Sequence, residues 1–520
     1  MVRKPQNVGE HLEQLRQPIV KSAGFTPTER HLATLASRTF LELWSYPSPF
    51  RDQNSGPITD GKEICDLMVV CDPHIILFSE KNITWSDDKP TEVAWPRWFK
   101  KAVFDAAKQL AGAERWLRDF PDRIFLDHGC KHPFPLALPP PERRQIHRVV
   151  VANGAAKACI KYFEGGSGSL VVNPDIKGKD HIDPSSPRFN PFSVGDVQPD
   201  GDFIHVLDET SLDIVMGEMD TITDFVGYLE KRAAFLRSGN LMLSSGEEDL
   251  IAYYATRINI DGDHDFSAPK GGVWKQEDRL IIKPGEYARF ITDPQYQARI
   301  EADEPSYFWD HLIETFTKHM MGGTSIVLPG FKYELSNSEL GVRYMALASR
   351  FMRRNLGKAC IGALDIGRSK ELFFRAVILA EGSRDAETGF FILTKKYLDW
   401  MDEKGGYEQY RLVRTGYLQV YAKALLMKHS HLKRVIGVAM EPPGQGRGSS
   451  EDLIYAAQHD WTDEDREQNR ADCERVGIMR GLKTHVPRES EFPHVKRPKP
   501  GYAGVGNRKQ RRAAAAALRR

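Results

Sequence analysis

The chain has no pair of cysteines at C-x-x-C spacing. Its six cysteines, Cys65, Cys71, Cys130, Cys159, Cys360 and Cys473, are scattered along 520 residues. That pattern argues against a disulfide framework and predicts reduced thiols, hence a cytoplasmic setting. No run of 18 apolar residues occurs, so no membrane-spanning helix and no membrane partner are expected. The first twenty residues carry no apolar signal core, which predicts no export. Also missing are a G-x-x-x-x-G-K-[ST] phosphate loop, a G-x-S-x-G elbow and an H-E-x-x-H helix. Nucleotide hydrolysis, serine-esterase chemistry and zinc peptidase chemistry therefore have no support. No run interleaves aromatic and basic residues as a platform for single strands.

There is little net charge. Seventy-two Lys and Arg meet 71 Asp and Glu, for +1 overall. The balance hides an asymmetry. From Phe492 to Arg520 there are nine basic residues and no acid, which leaves 63 basic against 71 acidic residues in the body, or about −8. A body of that sign does not advertise broad nucleic-acid binding. The tail does, and Arg508, Lys509, Arg511 and Arg512 are its candidate phosphate contacts. With 41% hydrophobic and 28% charged residues, the composition is that of a globular chain long enough for several domains.

What is present is concentrated in Gly61 to Lys81, GKEICDLMVVCDPHIILFSEK. Leu67 to Cys71 and Ile75 to Phe78 are short apolar runs around Asp72-Pro73-His74. Asp and Pro supply turn chemistry, and the runs predict a buried hairpin. In a hairpin, the start of one strand lies beside the end of the other. Glu63 and Asp66 then meet Ser79, Glu80 and Lys81 at one rim. Carboxylates beside an ammonium suit a divalent cation and a water bound to it.

Around this hairpin, Thr26 to Trp44 predicts an amphipathic helix and Pro96 to Phe120 a second one, bearing Lys101, Lys108 and Gln109. Arg123 to Asp127 predicts a closing strand. Helix, hairpin, helix and strand in this order, with an acid and a lysine at the rim, resemble the core of the PD-(D/E)xK, or restriction-endonuclease-like, nuclease superfamily. The resemblance covers about the first 130 residues. It implies that Asp66 and Lys81 are the first acid and the lysine of the motif, that Gln109 reaches in from the helix, and that Mg2+ or Mn2+ is the cofactor. It further implies that DNA is the substrate, with Lys101 and Lys108 facing its phosphates and defence against foreign DNA as an analogous role. One position departs from the motif. The acid two residues before the lysine is replaced by Ser79, and Glu80 is expected on the other face of the strand. The second metal ligand beside Asp66 is then Glu80 if a bulge re-aims it, or Glu63, or Glu42 on the preceding helix. A nuclease fold without catalysis, serving binding or assembly with a partner protein or a second copy, is the rival reading.

The rest predicts an α/β chain of mixed sheets with flanking helices, divided as 1–135, 145–245, 246–488 and a basic unstructured tail at 489–520. Within it, 174–202 reads as a long loop, Leu212 to Arg237 as one helix, and Arg279 to Ile291 as a hairpin around Pro284-Gly285. Ser338 to Met440 repeats the order of the first unit, with FFILTKK in the place of IILFSEK. The position of Asp66 in that copy is expected at Phe374 or Arg375, neither of which binds a cation.

Overall fold

The computed structural model describes residues 16–53, 60–269, 272–326, 333–383, 385–444, 450–480, 482–485 and 489–495. It is α/β, with three larger mixed sheets flanked by helices. None of the described helices is long and apolar enough to cross a membrane.

Helix α1 (Pro27–Thr39) opens on a capping box: the Thr26 hydroxyl accepts from Glu29 N–H while Glu29 reaches back. It stops five residues short of the expected end. Leu41 has φ 66° and a 3₁₀ turn follows over Glu42–Trp44. Leu41, Leu43 and Trp44 are all buried, and a continuing helix could not have turned all three inward.

Strands β1 (Ser45–Pro47), β2 (Phe50–Arg51) and β3 (Lys62–Glu63) lead into the hairpin of β4 (Leu67–Cys71) and β5 (His74–Asn82), paired antiparallel from Leu67↔Phe78 to Cys71↔His74. Helices α2 (Thr91–Phe99) and α3 (Asp105–Asp119) run on from each other through a π turn at Lys100–Phe104. The return strand is β6 (Gln145–Asn153), parallel to β5 over all nine of its residues. The expected strand at Arg123 to Asp127 makes only isolated bridges from Phe125 to Phe50 and Pro133. Five residues cannot cover a nine-residue strand, whereas QIHRVVVAN can, and its valines fill both faces. The proposed break between 135 and 145 is therefore a connection inside one sheet.

Helix α4 (Ala156–Tyr162) is followed by β7 (Val171–Lys177), β8 (Ser193–Asp196) and β9 (Ile204–Asp208). β9 joins the central sheet, whose order is β1-β4-β5-β6-β9. The expected long loop at 174–202 thus carries part of β7 and all of β8. These two strands form a second sheet, ordered β11-β10-β7-β8, with β10 (Leu241–Ser244) and β11 (Leu280–Ile282). The helix expected over Leu212 to Arg237 is two, α5 (Ser211–Glu218) and α6 (Ile222–Ser238). Thr221 starts the second by capping Asp224 N–H. After α7 (Glu247–Ala255), the expected hairpin at Arg279 to Ile291 is instead β11 and helix α8 (Glu286–Thr292). Gly285, at φ 88°, makes the turn between them.

Helices α9 (Pro294–Asp303), α10 (Ser306–Met321), α11 (Leu335–Ala346) and α12 (Arg350–Gly367) precede a third sheet, β12-β13-β14-β15. Its strands are β12 (Leu372–Val377), β13 (Thr388–Lys395), β14 (Arg434–Met440) and β15 (Glu451–Ala457). β12 and β13 are an antiparallel pair, and β14 is parallel to β13 after helix α13 (Gly406–Lys428). The order of the first unit recurs, although its opening helix is α12 and not the expected Ser338 to Arg354. The register places Phe373 opposite Thr394, as Asp66 stands opposite Ser79 by extension of the first hairpin. The apolar counterpart of Asp66 is therefore Phe373, one residue before the expected pair. Lys395, buried and paired with Glu371 at 3.2 Å, takes the place of Glu80. Helix α14 (Asp463–Val476) closes this unit.

Residues 489–495, expected within the unstructured tail, are held against the body of the protein. Arg354 donates to the carbonyl of Glu491, and the Glu491 carboxylate bonds His264 at 2.8 Å. Buried cations recruit this segment. Lys496 to Arg520 lies outside the described residues, and Arg508, Lys509, Arg511 and Arg512 with it.

Where α12 crosses the start of α10, a Cβ on Gly357 would lie 1.8 Å from the Pro305 carbonyl oxygen. Two backbones meet there, so no side chain can swing aside. Gly357→Ala is expected to destabilise by about 1–3 kcal/mol, read as a lower urea midpoint. An unchanged midpoint would show that the helices separate freely.

Candidate active site at the hairpin rim

Alternation sorts the hairpin's side chains. Met68, Val70, Ile75 and Leu77 pack with α2 and α3, while Leu67, Val69, Ile76 and Phe78 pack on the α1 side. The same parity puts Ser79 and Lys81 on the α3 side of the rim and Glu80 on the α1 side, while Asp66 sits at the bend just before β4.

Asp66 is 5% exposed. Its carbonyl accepts from Ser48 N–H at 3.0 Å, which ties it to the loop after β1. Its Oδ2 accepts from Glu80 N–H at 2.5 Å and from Lys81 Nζ at 3.4 Å. Ser79 Oγ donates to Gln109 Oε1 at 3.0 Å, so α3 delivers Gln109 to this face. Glu80 is held on the other side, where Asn153 Nδ2 donates to its Oε1 at 2.6 Å. The expectation that Glu80 faces away from Lys81 holds.

Glu63 lies within range of the charges of Asp66 and Lys81. Its Oε1 and the nearby Ser48 Oγ are buried and make no well-formed hydrogen bond, Ser48 being close enough only to weigh on the Glu63 charge. Burial pushes the Glu63 carboxyl up to about 7. The Ser48 hydroxyl works against this, Asp66 and Glu29 add to it, and Lys81 opposes it. Burial likewise raises Asp66, against Lys81 and the Glu80 N–H. It raises Glu80 too, against hydrogen bonds from Thr28 and Asn153. A carboxylate oxygen without a well-formed hydrogen bond amid desolvated acids is the donor chemistry a hard divalent cation satisfies. The set is small. Among the described residues, no three acids of this rim bring one oxygen each within 4.8 Å of one another.

Glu42 is not at the rim. β1 runs antiparallel to β4 with Ser45 beside Val69 and Pro47 beside Leu67, so the residues before β1 lie toward the Cys71 end. There the Glu42 carbonyl accepts from Lys21 Nζ. The acid of α1 whose charge acts on Glu63, Asp66 and Glu80 is Glu29. Its capping box is a sufficient local reason for a Glu there and concealed the second role. Lys101 and Lys108 are exposed on the helical run over the same sheet. Asp208, in the acid-rich stretch opening α5, is spent on the chain itself, accepting from the N–H groups of Leu170, Thr210 and Ser211.

The raised Glu63 carboxyl makes stability depend on pH. Between an unfolded value near 4.5 and about 7, the folded chain holds a proton that the unfolded chain releases. Stability contributed by that proton is complete below the lower value and is lost as pH rises through 7. Glu63→Gln should therefore lose less stability than wild type between pH 5 and pH 8 in urea unfolding. Parallel profiles would show that Glu63 is solvated.

No protein-family model, curated protein or solved structure matches the chain.

Proposed function

We propose that the rim is the active site of a metal-dependent nuclease of the PD-(D/E)xK type. The observation that carries the reading is the Lys81–Asp66 contact beside the buried Glu63 carboxyl, with Gln109 bonded to the neighbouring Ser79. They sit at the carboxyl ends of parallel β5 and β6, the end of an open sheet at which ligands bind. Asp66 and Glu63 hold Mg2+ or Mn2+. When bound, the ion supplies Lewis acidity toward a phosphate oxygen and lowers the pKa of water. Lys81 Nζ holds the attacking water and offsets charge that develops on the phosphoryl oxygens. Gln109 orients from α3, and Glu80 braces the strand through Asn153. The substrate is DNA, with Lys101, Lys108 and the basic tail along its backbone, and cleavage of foreign DNA in the cytoplasm is the role. All six cysteines are free, five of them buried, which suits a reducing compartment.

A second reading, a binding module on the same fold, is favoured by the small acid set of the rim. Plasmid nicking with Mg2+ or Mn2+ separates the two. Wild type should cleave and Asp66→Ala should not, with metal binding by calorimetry lost in parallel. DNA retention by both proteins with cleavage by neither would establish the binding module.

A further inference from the structure

His74 opens β5, and His147 lies on β6 beside it. Their rings face each other, Nδ1 to Nε2, at 3.3 Å. Glu230 approaches from α6. One ligand atom from each of the three lies within 4.8 Å of the other two, the only such trio among the described residues. This is the amino end of the parallel strands. Lys81 is seven residues further along β5, about 23 Å away at 3.3 Å per residue, so the trio is separate from the acid rim.

We propose that His74, His147 and Glu230 bind a late first-row divalent cation, with Zn2+ the best chemical match. Two imidazoles and one carboxylate form a borderline donor set that suits zinc and disfavours magnesium. Burial, reinforced by His74, pushes His147 down to about 3, so its ring is neutral and keeps a lone pair for a metal. His205 on β9 lies beside Arg232, which is locked in a buried pair with Glu247. Three protein ligands leave a fourth position for water in a tetrahedral site. The ligands come from β5, β6 and α6, so the ion clamps helix to sheet where Glu230 is otherwise exposed.

The test is a Co2+ titration of the full chain, read by visible d–d absorption and reversed by Zn2+. Wild type should take up one more equivalent of Co2+ than Glu230→Gln or His74→Gln, or bind it at least ~10-fold more tightly. Zn2+ should raise the melting temperature of wild type but not of Glu230→Gln or His74→Gln. Both variants alter residues that are not fully buried, and circular dichroism confirms their fold. Arg143→Ala, at neither cation site, should bind Co2+ as wild type does. Equal stoichiometry and affinity in wild type, Glu230→Gln and His74→Gln would overturn the site.

Discussion

Lys81→Ala should reduce metal-dependent plasmid cleavage by about 10²–10³-fold, the loss typical when a preorganised electrostatic group is removed from a transition state. The fold should survive, because the lysine is 28% exposed and its contact with Asp66 is long, at 3.4 Å. A pair of that kind contributes only ~0–1 kcal/mol to stability. The lysine also holds down the Asp66 carboxyl, which burial raises. Its removal lets Asp66 stay protonated to higher pH, so residual activity should have its acid limb displaced upward. Lys81→Arg discriminates between two roles. A guanidinium keeps the charge but cannot take up a proton near neutral pH. Partial rescue by Arg assigns Lys81 to charge stabilisation, and no rescue assigns it to proton transfer. Full activity in Lys81→Ala would remove the amine from the chemistry.

The hairpin was legible because its signals are local. Two apolar runs and an Asp-Pro turn fix pairing and parity, and parity sets Lys81 and Glu80 on opposite faces of β5 with Asp66 at the same rim. Partners from elsewhere in the chain were not legible. β6 replaces the expected strand at 123–127 because only a longer strand satisfies the full edge of β5, a condition that no window around Phe125 contains. Glu29 was hidden by its role as a cap, and Glu42 was favoured because nearness in sequence stood in for nearness in space. The second unit shows the same division. Its order was readable, whereas the one-residue register that makes Phe373 the counterpart of Asp66 is set by pairing. With Phe373 opposite Thr394 and Lys395 where Glu80 stands in the first unit, the corresponding rim of the second hairpin has neither of those two carboxylates.

The largest stability loss should come from Glu247→Ala. Arg232 on α6 and Glu247 at the start of α7 form a two-pronged pair, Nε to Oε1 at 2.6 Å and Nη2 to Oε2 at 2.7 Å, with side chains only 2% and 3% exposed. Tyr228 donates to the same Oε1 at 2.5 Å. Truncation at Glu247 leaves a buried guanidinium with no counter-charge and a buried hydroxyl with no acceptor. Removing one member of such a pair costs about 3–5 kcal/mol. With a urea slope of ~2–3 kcal/mol per M, the midpoint should fall by about 1–2.5 M. The sign of the second measurement separates pairing from packing. Arg232→Met combined with Glu247→Leu removes both charges and keeps the volume, and should recover more than half of the loss. That recovery would mean that the penalty in Glu247→Ala is the stranded charge. If the double variant is as unstable as the single one, the pair does more than satisfy itself, and it holds α6 in the position from which Glu230 faces the two histidines. A Glu247→Ala midpoint within ~0.3 M of wild type would show that water reaches Arg232 and that the pair is not desolvated.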